Sequence, residues 1–286
     1  MASTPPALET PRMNSSPHAA PVARPMRRRK SRWPARLDAL QSLSGLVLGL
    51  FMWGHMLFVS SILLGKDAMW TVTKFFEGYF VFGRSLPALV SVVVASIFAI
   101  VVLHALLAMR KFPINHHQLH NIREHINQFR HGDTTLWWWQ AVTGFALFFL
   151  ASVHLYVMMT RPETIGPYGS ADRIWTDRFW PLYLVLLFAV ELHGGIGLYR
   201  LAVKWGWFAG ADPNAARRRL KTLKWALTAF FLALGLATLA AYVKIGIAHA
   251  PRAGEVYTPV WAQPEVPAQT PAQAPAQAPA QSPIQK

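Results

Sequence analysis

The amino-acid sequence predicts an all-α integral membrane protein whose five transmembrane helices form a bundle. Of its 286 residues, 53% are hydrophobic and only 14% are charged, which is typical of membrane proteins. A hydrocarbon core about 30 Å thick requires roughly 20 apolar residues per helix, and five runs of this kind lack lysine, arginine and aspartate. These runs are residues 40–64, 86–109, 136–159, 181–199 and 225–243.

The two ends of the chain differ in composition from this transmembrane domain, which we place at residues 36–248. Residues 1–35 are rich in proline, serine and arginine and lack the apolar stretch of a secretory signal peptide, so we expect a disordered basic arm. Residues 249–286 end in a proline, alanine and glutamine repeat that can bury no core. We therefore expect a disordered tail there.

The chain contains no cysteine. This excludes disulfide bonds, thiolate metal sites and a cysteine-bound iron–sulfur cluster within the chain. Any such cluster in a complex with this chain must belong to a partner.

Basic residues are unevenly distributed between the two sides of the predicted bundle. If the five runs cross the membrane alternately, 19 of the 28 lysines and arginines lie on the side of the N-terminus and 9 on the other. The excess predicts a cytoplasmic N-terminus and an external C-terminus, and we name these sides inner and outer. Topology and contact with anionic lipid account for the net charge of +15, so we expect no nucleic-acid binding.

The fifth helix is expected to begin well before its apolar run. Asp212 followed by Pro213 is a favourable N-cap and first-turn pair. The resulting inner extension, roughly 17 Å long, is suited to docking a partner because it is strongly basic. Its basic residues are Arg217, Arg218, Arg219, Lys221 and Lys224.

Four histidines lie inside the apolar runs, each in a different run: His55, His104, His154 and His193. Ionisable side chains at membrane depth are costly and usually functional, although an interhelical hydrogen bond is the alternative for any one of them. Alternating topology sorts the four by depth into an outer pair, His55 with His154, and an inner pair, His104 with His193.

Each pair supplies two imidazoles from two helices, as a six-coordinate haem requires. Small residues next to three of these histidines favour close approach of a flat macrocycle, although they also serve plain helix packing. No CxxCH motif is present, so the haems would be non-covalent, of b type. We therefore predict two haem b groups, one per pair. The small residues are Gly54, Ala105, Gly194, Gly195 and Gly197.

The remaining histidines are not predicted to bind haem. Five of them cluster irregularly in the loop between the second and third runs, where we expect an interfacial helix, and His18 and His249 lie at the margins and are given no role. The five are His116, His117, His120, His125 and His131.

Two acidic residues are candidates for proton transfer. Glu191 is the only acid inside an apolar run, and it projects about 200° around the helix from His193, away from the iron side. It is either a protonated carboxyl held by a hydroxyl or a proton relay, and we favour the relay. Glu77 lies on the outer side between the first two runs, near the predicted outer haem, although a plain loop carboxylate would look the same.

Five stretches of the sequence together form a recognisable pattern: GLVLGLFMWGHMLFVSSILLG, HALLAMRKFPIN, RHGDTTLWWWQAVTGFALFFLASVHLYVMMT, TIGP and WPLYLVLLFAVELHGGIGLYRLAVKWGWF. They resemble the di-haem cytochrome b subunit of succinate:quinone oxidoreductases, the fumarate reductases and succinate dehydrogenases, in its single-subunit five-helix form. The resemblance covers roughly residues 30–245.

The resemblance implies a membrane anchor in the bacterial inner membrane that passes electrons between a quinone, with menaquinol favoured, and cytoplasmic partners. These partners are an iron–sulfur subunit and an FAD flavoprotein that holds the fumarate or succinate site. The chain would then be the quinone-reactive subunit of an enzyme of anaerobic respiration, with a periplasmic C-terminus. The resemblance also implies the same four axial ligands, Glu77 beside the quinol site and Glu191 on a transmembrane proton path.

Two other functions fit the sequence less well. The di-haem cytochrome b of other quinol-oxidising complexes carries two histidines of different depth on one helix, whereas here each helix has one. A transporter or scaffold whose histidines only pack helices is the non-redox alternative. It would be expected to show an internal repeat with helices broken at mid-membrane, and the sequence has no such repeat.

Overall fold

A computed structural model describes residues 31–112, 120, 124 and 132–262 of the chain, with no side-chain description for residues 132–134. These described residues are largely helical and contain no strand. The α-helices, numbered here in chain order, are α1 (Trp33–Val59), α2 (Lys66–Phe76), α3 (Tyr79–Phe82), α4 (Pro87–Met109), α5 (Gly132–Thr160), α6 (Pro167–Trp175), α7 (Trp180–Lys204) and α8 (Pro213–His249). Short 3₁₀ helices are Ser60–Leu64, Pro162–Thr164, Ala250–Arg252 and Val260–Ala262.

Five of these helices, α1, α4, α5, α7 and α8, are long and apolar enough to cross a membrane. Each covers one of the five predicted apolar runs to within a few residues, and the first run continues from α1 into the 3₁₀ helix Ser60–Leu64. The all-α membrane fold is therefore confirmed. The predicted start of the last helix is confirmed as well. Helix α8 begins at Pro213, and the Asp212 side chain accepts a hydrogen bond from the Asn214 N–H at 2.8 Å.

Helix α7 is the centre of the bundle, since it packs against α1, α5 and α8, and α4 closes the other side against α1 and α5. Outward-facing positions of the spanning helices carry large apolar side chains such as Leu106 and Phe230, which are 62% and 54% exposed. Such side chains match the hydrocarbon that surrounds a spanning helix.

The inner ends of three helices are joined by ion pairs to a single carboxylate. Asp38 of α1 pairs with Lys111, just beyond α4, and with Lys204 at the end of α7. The Lys204 ammonium also donates to the Ser42 hydroxyl at 2.7 Å.

The outer end of the bundle is covered by α2, α6 and the residues that follow α8. A buried apolar cluster lies beneath them, formed by Ile62, Met69, Ala171, Ile174 and Tyr242.

The predicted boundary between the transmembrane domain and the tail needs correction. Residues 249–262, assigned above to the tail, pack on the outer side of the bundle, where His249 and Tyr257 are buried. Their anchoring depends on side chains far away in the sequence rather than on an apolar periodicity, so local composition gave no sign of it. Residues 1–30 and 263–286, which hold most of the two predicted disordered ends, lie outside the described residues.

Candidate functional site

One large cavity lies within the bundle and contains all four intramembrane histidines in its wall. Its volume is about 1260 Å³, larger than the roughly 300–1,000 Å³ of a typical small-ligand pocket. Helices α1, α4, α5 and α7 each contribute one histidine, and most other lining side chains are apolar.

The outer pair of histidines meets across the cavity between α1 and α5. The ring centres of His55 and His154 are 6.2 Å apart. The Nδ1 atom of His154 lies 3.3 Å from the Tyr183 hydroxyl on α7, so this bond fixes the imidazole and leaves Nε2 as the available ligand atom.

The inner pair meets in the same way between α4 and α7, with the ring centres of His104 and His193 6.5 Å apart. His104 Nδ1 lies 3.0 Å from the Ser44 hydroxyl, and His193 Nδ1 lies 2.9 Å from the Gln140 carbonyl oxygen, which accepts its N–H. Both rings are therefore oriented by their Nδ1 atoms, a pattern typical of metal-ligating histidines.

The distances within the pairs fit an iron atom between two imidazoles. Metal–nitrogen bonds of about 2.0 Å, with each ring centre roughly 1.1 Å behind its nitrogen, place the two ring centres about 6.2 Å apart. Within the described part of the chain, no group of three or more histidine or acidic side chains could hold a bare metal ion. Two protein ligands per metal are what haem needs, because its macrocycle supplies the other four.

Two glycines that sequence analysis missed make room for the inner imidazoles. A Cβ atom at Gly45 would lie 2.9 Å from His104 Cε1, and one at Gly144 would lie 2.9 Å from His193 Cε1. Each glycine sits on the helix next to the histidine it faces, so only the packing of the helices reveals the contact. In the sequence, the available sign of these contacts was weak: each glycine lies at about the same membrane depth as the histidine on a neighbouring run.

The small residues singled out from the sequence divide into two groups. Gly54, Ala105, Gly194 and Gly197 line the cavity. Gly195 does not line it, because its Cα faces α8, where an added Cβ would lie 2.6 Å from the Thr228 hydroxyl. For Gly195 the helix-packing interpretation is therefore the correct one.

Basic side chains also reach the cavity, which suits a ligand with acidic substituents such as the propionates of haem. Arg173 of α6 is only 6% exposed and lines the outer part. Its guanidinium donates to the Thr164 carbonyl oxygen at 3.1 Å and to the Thr164 hydroxyl. Lys204 lines the inner part. Sequence analysis assigned neither residue to the site.

Glu77 lies just behind the cavity wall. It caps the C-terminal end of α2, is 1% exposed and accepts a hydrogen bond from the Lys74 ammonium at 2.6 Å. The carboxylate does not itself line the cavity, whereas its neighbours Thr73 and Phe76 do. Glu77 is therefore adjacent in the chain to cavity-lining residues of α2 without lining the cavity itself.

Glu191 is fully buried and faces away from the cavity, whose wall includes Val190, His193 and Gly194 instead. Neither carboxyl oxygen has a hydrogen-bond partner among the described residues. The Trp53 indole of α1 lies beside it without regular hydrogen-bond geometry. A charged carboxylate is costly in such surroundings.

The remaining histidines do not join the site. His116, His117, His125 and His131 lie outside the described residues, as does His18, while His120 is exposed and lies 3.6 Å from Glu124. His249, to which the sequence gave no role, is 2% exposed, and its Nδ1 lies 2.8 Å from Asp172 Oδ1.

Comparisons with known proteins agree with this architecture. Residues 115–234 match the family described as the succinate dehydrogenase/fumarate reductase transmembrane subunit. The fumarate reductase cytochrome b subunit of Wolinella succinogenes is 60% identical over 220 residues, which cover 77% of this chain and 86% of that protein. The subunit of the same name from Helicobacter pylori is 56% identical over 219 residues, or 77% of this chain and 84% of that protein. The chain therefore belongs to the family of fumarate reductase cytochrome b subunits, the membrane subunits of the fumarate reductase complex.

Proposed function

We propose that this chain passes electrons between a membrane quinone and the iron–sulfur and flavoprotein subunits of a quinol:fumarate reductase or succinate dehydrogenase. The observation that carries the proposal is the presence of two facing histidine pairs in one apolar cavity, with one pair toward each side of the membrane. Two haem b groups, when bound, would supply one-electron carriers at two depths of the membrane.

The protein residues hold and orient these groups. His55 and His154 would hold the outer haem, and His104 and His193 would hold the inner one. Hydrogen bonds between the Nδ1 atoms and the Ser44 hydroxyl, the Gln140 carbonyl oxygen and the Tyr183 hydroxyl keep three of the four rings in place. The apolar lining of the cavity excludes water, and Arg173 and Lys204 provide positive charge for acidic substituents.

Glu77 is proposed to accept protons from quinol on the outer side. Its support is its position at the end of α2, directly behind the cavity-lining residues Thr73 and Phe76. The Lys74 ammonium lies 2.6 Å from one carboxylate oxygen and holds the side chain in place. Glu77→Gln is accordingly expected to abolish quinol oxidation and to leave dye-driven fumarate reduction by the partner subunits intact.

Glu191 is proposed to relay protons across the membrane. It is buried on α7 beside the Trp53 indole of α1, off the cavity and without a hydrogen-bond partner among the described residues. A carboxyl group in that position can hold a proton without a fixed ion-pair partner.

The basic inner extension of α8, together with the loop from Arg110 to His131, is proposed to dock the iron–sulfur subunit, with the flavoprotein bound to that subunit. The orientation that follows has a cytoplasmic N-terminus and a periplasmic C-terminus in a bacterial inner membrane, and it rests on the excess of basic residues on the inner side. Menaquinol is the quinol that the family resemblance favours.

The experiment that tests the proposal is haem analysis of histidine variants in the purified complex. The wild-type complex should contain two b-type haems per chain with low-spin spectra. His104→Ala or His193→Ala should remove the inner haem and leave the outer spectrum largely intact, and His55→Ala or His154→Ala should do the converse. His120→Ala, at an exposed inner position, is the control and should keep both haems. Loss of both haems from every intramembrane variant would contradict the pairing.

A further inference from the structure

Two carboxylates on the outer side hold the residues that follow the last spanning helix. Asp172 of α6 lies 2.8 Å from His249 Nδ1 and accepts a hydrogen bond from the Gly254 N–H at 2.9 Å. Asp67, in the first turn of α2, accepts one from the Tyr257 hydroxyl at 2.7 Å and one from the Val260 N–H at 3.2 Å. We name residues 253–262 the C-terminal clasp, since they join α6 to α2.

Aromatic contacts strengthen the attachment of the clasp to α2. The ring of Trp261 meets that of Trp70 edge-on, with 5.5 Å between centres. The Lys66 ammonium lies 5.1 Å from the Tyr168 ring centre and 5.5 Å from that of Tyr257. Cation–π contacts at such distances are favourable. The first two turns of α2 are therefore held through Lys66 and Trp70.

Tyr257 is the anchor of the clasp. It is 7% exposed, whereas Val256 and Val260 on either side are 87% and 68% exposed. Burial, together with the adjacent Asp67 carboxylate, raises the pKa of the Tyr257 phenol. The hydroxyl therefore stays protonated at neutral pH and remains a donor to Asp67.

The helix that the clasp holds is the outer wall of the cavity. Helix α2 is only 11 residues long, and an isolated helix of that length is marginal in water. Its Met69 and Thr73 are buried, and Met69, Thr73 and Phe76 line the cavity. Its far end is Glu77, whose carbonyl oxygen accepts a hydrogen bond from the Leu86 N–H at 2.9 Å.

We propose that the C-terminal clasp is a positioning element for the quinol site, which fixes the first turn of α2 and thereby places Thr73, Phe76 and Glu77 at the outer end of the cavity. The inference rests on the proposed function, because it takes this end of the cavity as the place where quinol binds. Tyr257 and Asp67 are the central pair of this device.

The test compares matched variants in the intact complex. One truncation ends the chain after Arg252 and removes the clasp, and a second ends it after Ala262 and keeps the clasp. Tyr257→Phe removes only the hydroxyl that donates to Asp67, and Tyr156→Phe, at a position of α5 that is 58% exposed, is its control. Four measurements are made: KM and kcat for a menaquinol analogue, dye-driven fumarate reduction, haem spectra, and hydrogen exchange of the α2 amides.

Truncation after Arg252 and Tyr257→Phe should speed exchange in α2 and raise the quinol KM by about three- to tenfold, with dye-driven activity and both haem spectra unchanged. The truncation after Ala262 and Tyr156→Phe should match the wild type. A merely structural role would instead lower quinol-driven and dye-driven activity together, as less complex assembles.

That joint loss would overturn the inference, and so would either of two other results: unchanged exchange in α2 when the clasp is removed, or faster exchange with an unchanged quinol KM and kcat. Failure of the proposed role of Glu77 is recognised separately, because Glu77→Gln would then oxidise quinol normally. If Glu77→Gln oxidised quinol normally, a raised quinol KM in the clasp variants would still support the inference that the clasp positions α2 at the outer end of the cavity.

Discussion

Glycine at two positions decides whether the inner imidazoles can adopt the orientation that a metal ligand needs. At Gly144 an added methyl group would lie 2.9 Å from His193 Cε1 and 3.2 Å from its Nδ1. Outside its own helix, the atoms of the described residues that lie within 4 Å all belong to this ring, so the ring must move. That movement would stretch the hydrogen bond between His193 Nδ1 and the Gln140 carbonyl, now 2.9 Å long.

We therefore predict that Gly144→Ala selectively perturbs the inner haem. Overpacking of this kind costs about 1–3 kcal/mol, enough to lower haem occupancy by roughly tenfold or to shift the spectrum and potential of the inner haem. Redox titration of the purified complex measures both. Gly54→Ala is the matched control, since Gly54 also lines the cavity but an added Cβ there meets no side chain of the described residues within 4 Å. Equal effects of the two substitutions on the inner haem would show that Gly144 has no special relation to His193.

Among whole elements, the inner extension of α8 carries the surface proposed for docking. The helix spans 37 residues, or about 55 Å, which exceeds a hydrocarbon core of about 30 Å. The part of α8 that extends beyond the hydrocarbon core on the inner side begins at Pro213 and carries the basic side chains of the inner extension. Among them, Arg218 lies 4.0 Å from the Asp212 carboxylate.

Simultaneous charge reversal of Arg217, Arg218 and Arg219 to glutamate is predicted to weaken binding of the iron–sulfur subunit by about tenfold or more at moderate salt, because complementary charges hold such surfaces and salt screens them. The measurement is release of the partner from membranes as the salt concentration rises. Charge reversal of Arg84, Arg161 and Arg178 on the outer side is the control. Equal release from both sets of membranes would place the docking surface elsewhere.

The sequence predicted the spanning helices well, but it predicted poorly the elements that cover the outer end of the bundle. An apolar run long enough to cross a membrane specifies its helix almost alone, and Asp212 with Pro213 marked the start of α8 through local chemistry. The clasp depends instead on Asp67 and Tyr257, which are 190 positions apart. The pairing of histidines by depth was deducible because spanning helices alternate in direction, whereas Gly45 and Gly144 required knowledge of which helices touch.

The molecule as a whole faces an energetic difficulty if it oxidises quinol at its outer end and delivers electrons to the inner side. Moving one charge across the full membrane is worth roughly 2.3 kcal/mol per 100 mV, and a resting potential that is negative inside opposes inward electron flow. Two electrons per quinol would thus meet a substantial opposing free energy. If one proton crosses inward with each electron, no net charge moves and the opposition vanishes.

Glu191→Gln is therefore predicted to keep both haems and the assembled complex but to lose quinol-driven fumarate reduction, while dye-driven activity of the partner subunits survives. The compensating path needs a titratable group within the membrane and off the cavity, and Glu191 is fully buried, outside the cavity lining and without a hydrogen-bond partner among the described residues. Glutamine keeps the shape of the side chain but cannot carry the proton. Sealed vesicles with a dye that reports membrane potential separate the outcomes. Quinol activity retained without a potential would exclude Glu191 as the relay, whereas activity retained with a new potential, positive outside, would show that the carboxyl group carried the compensating proton.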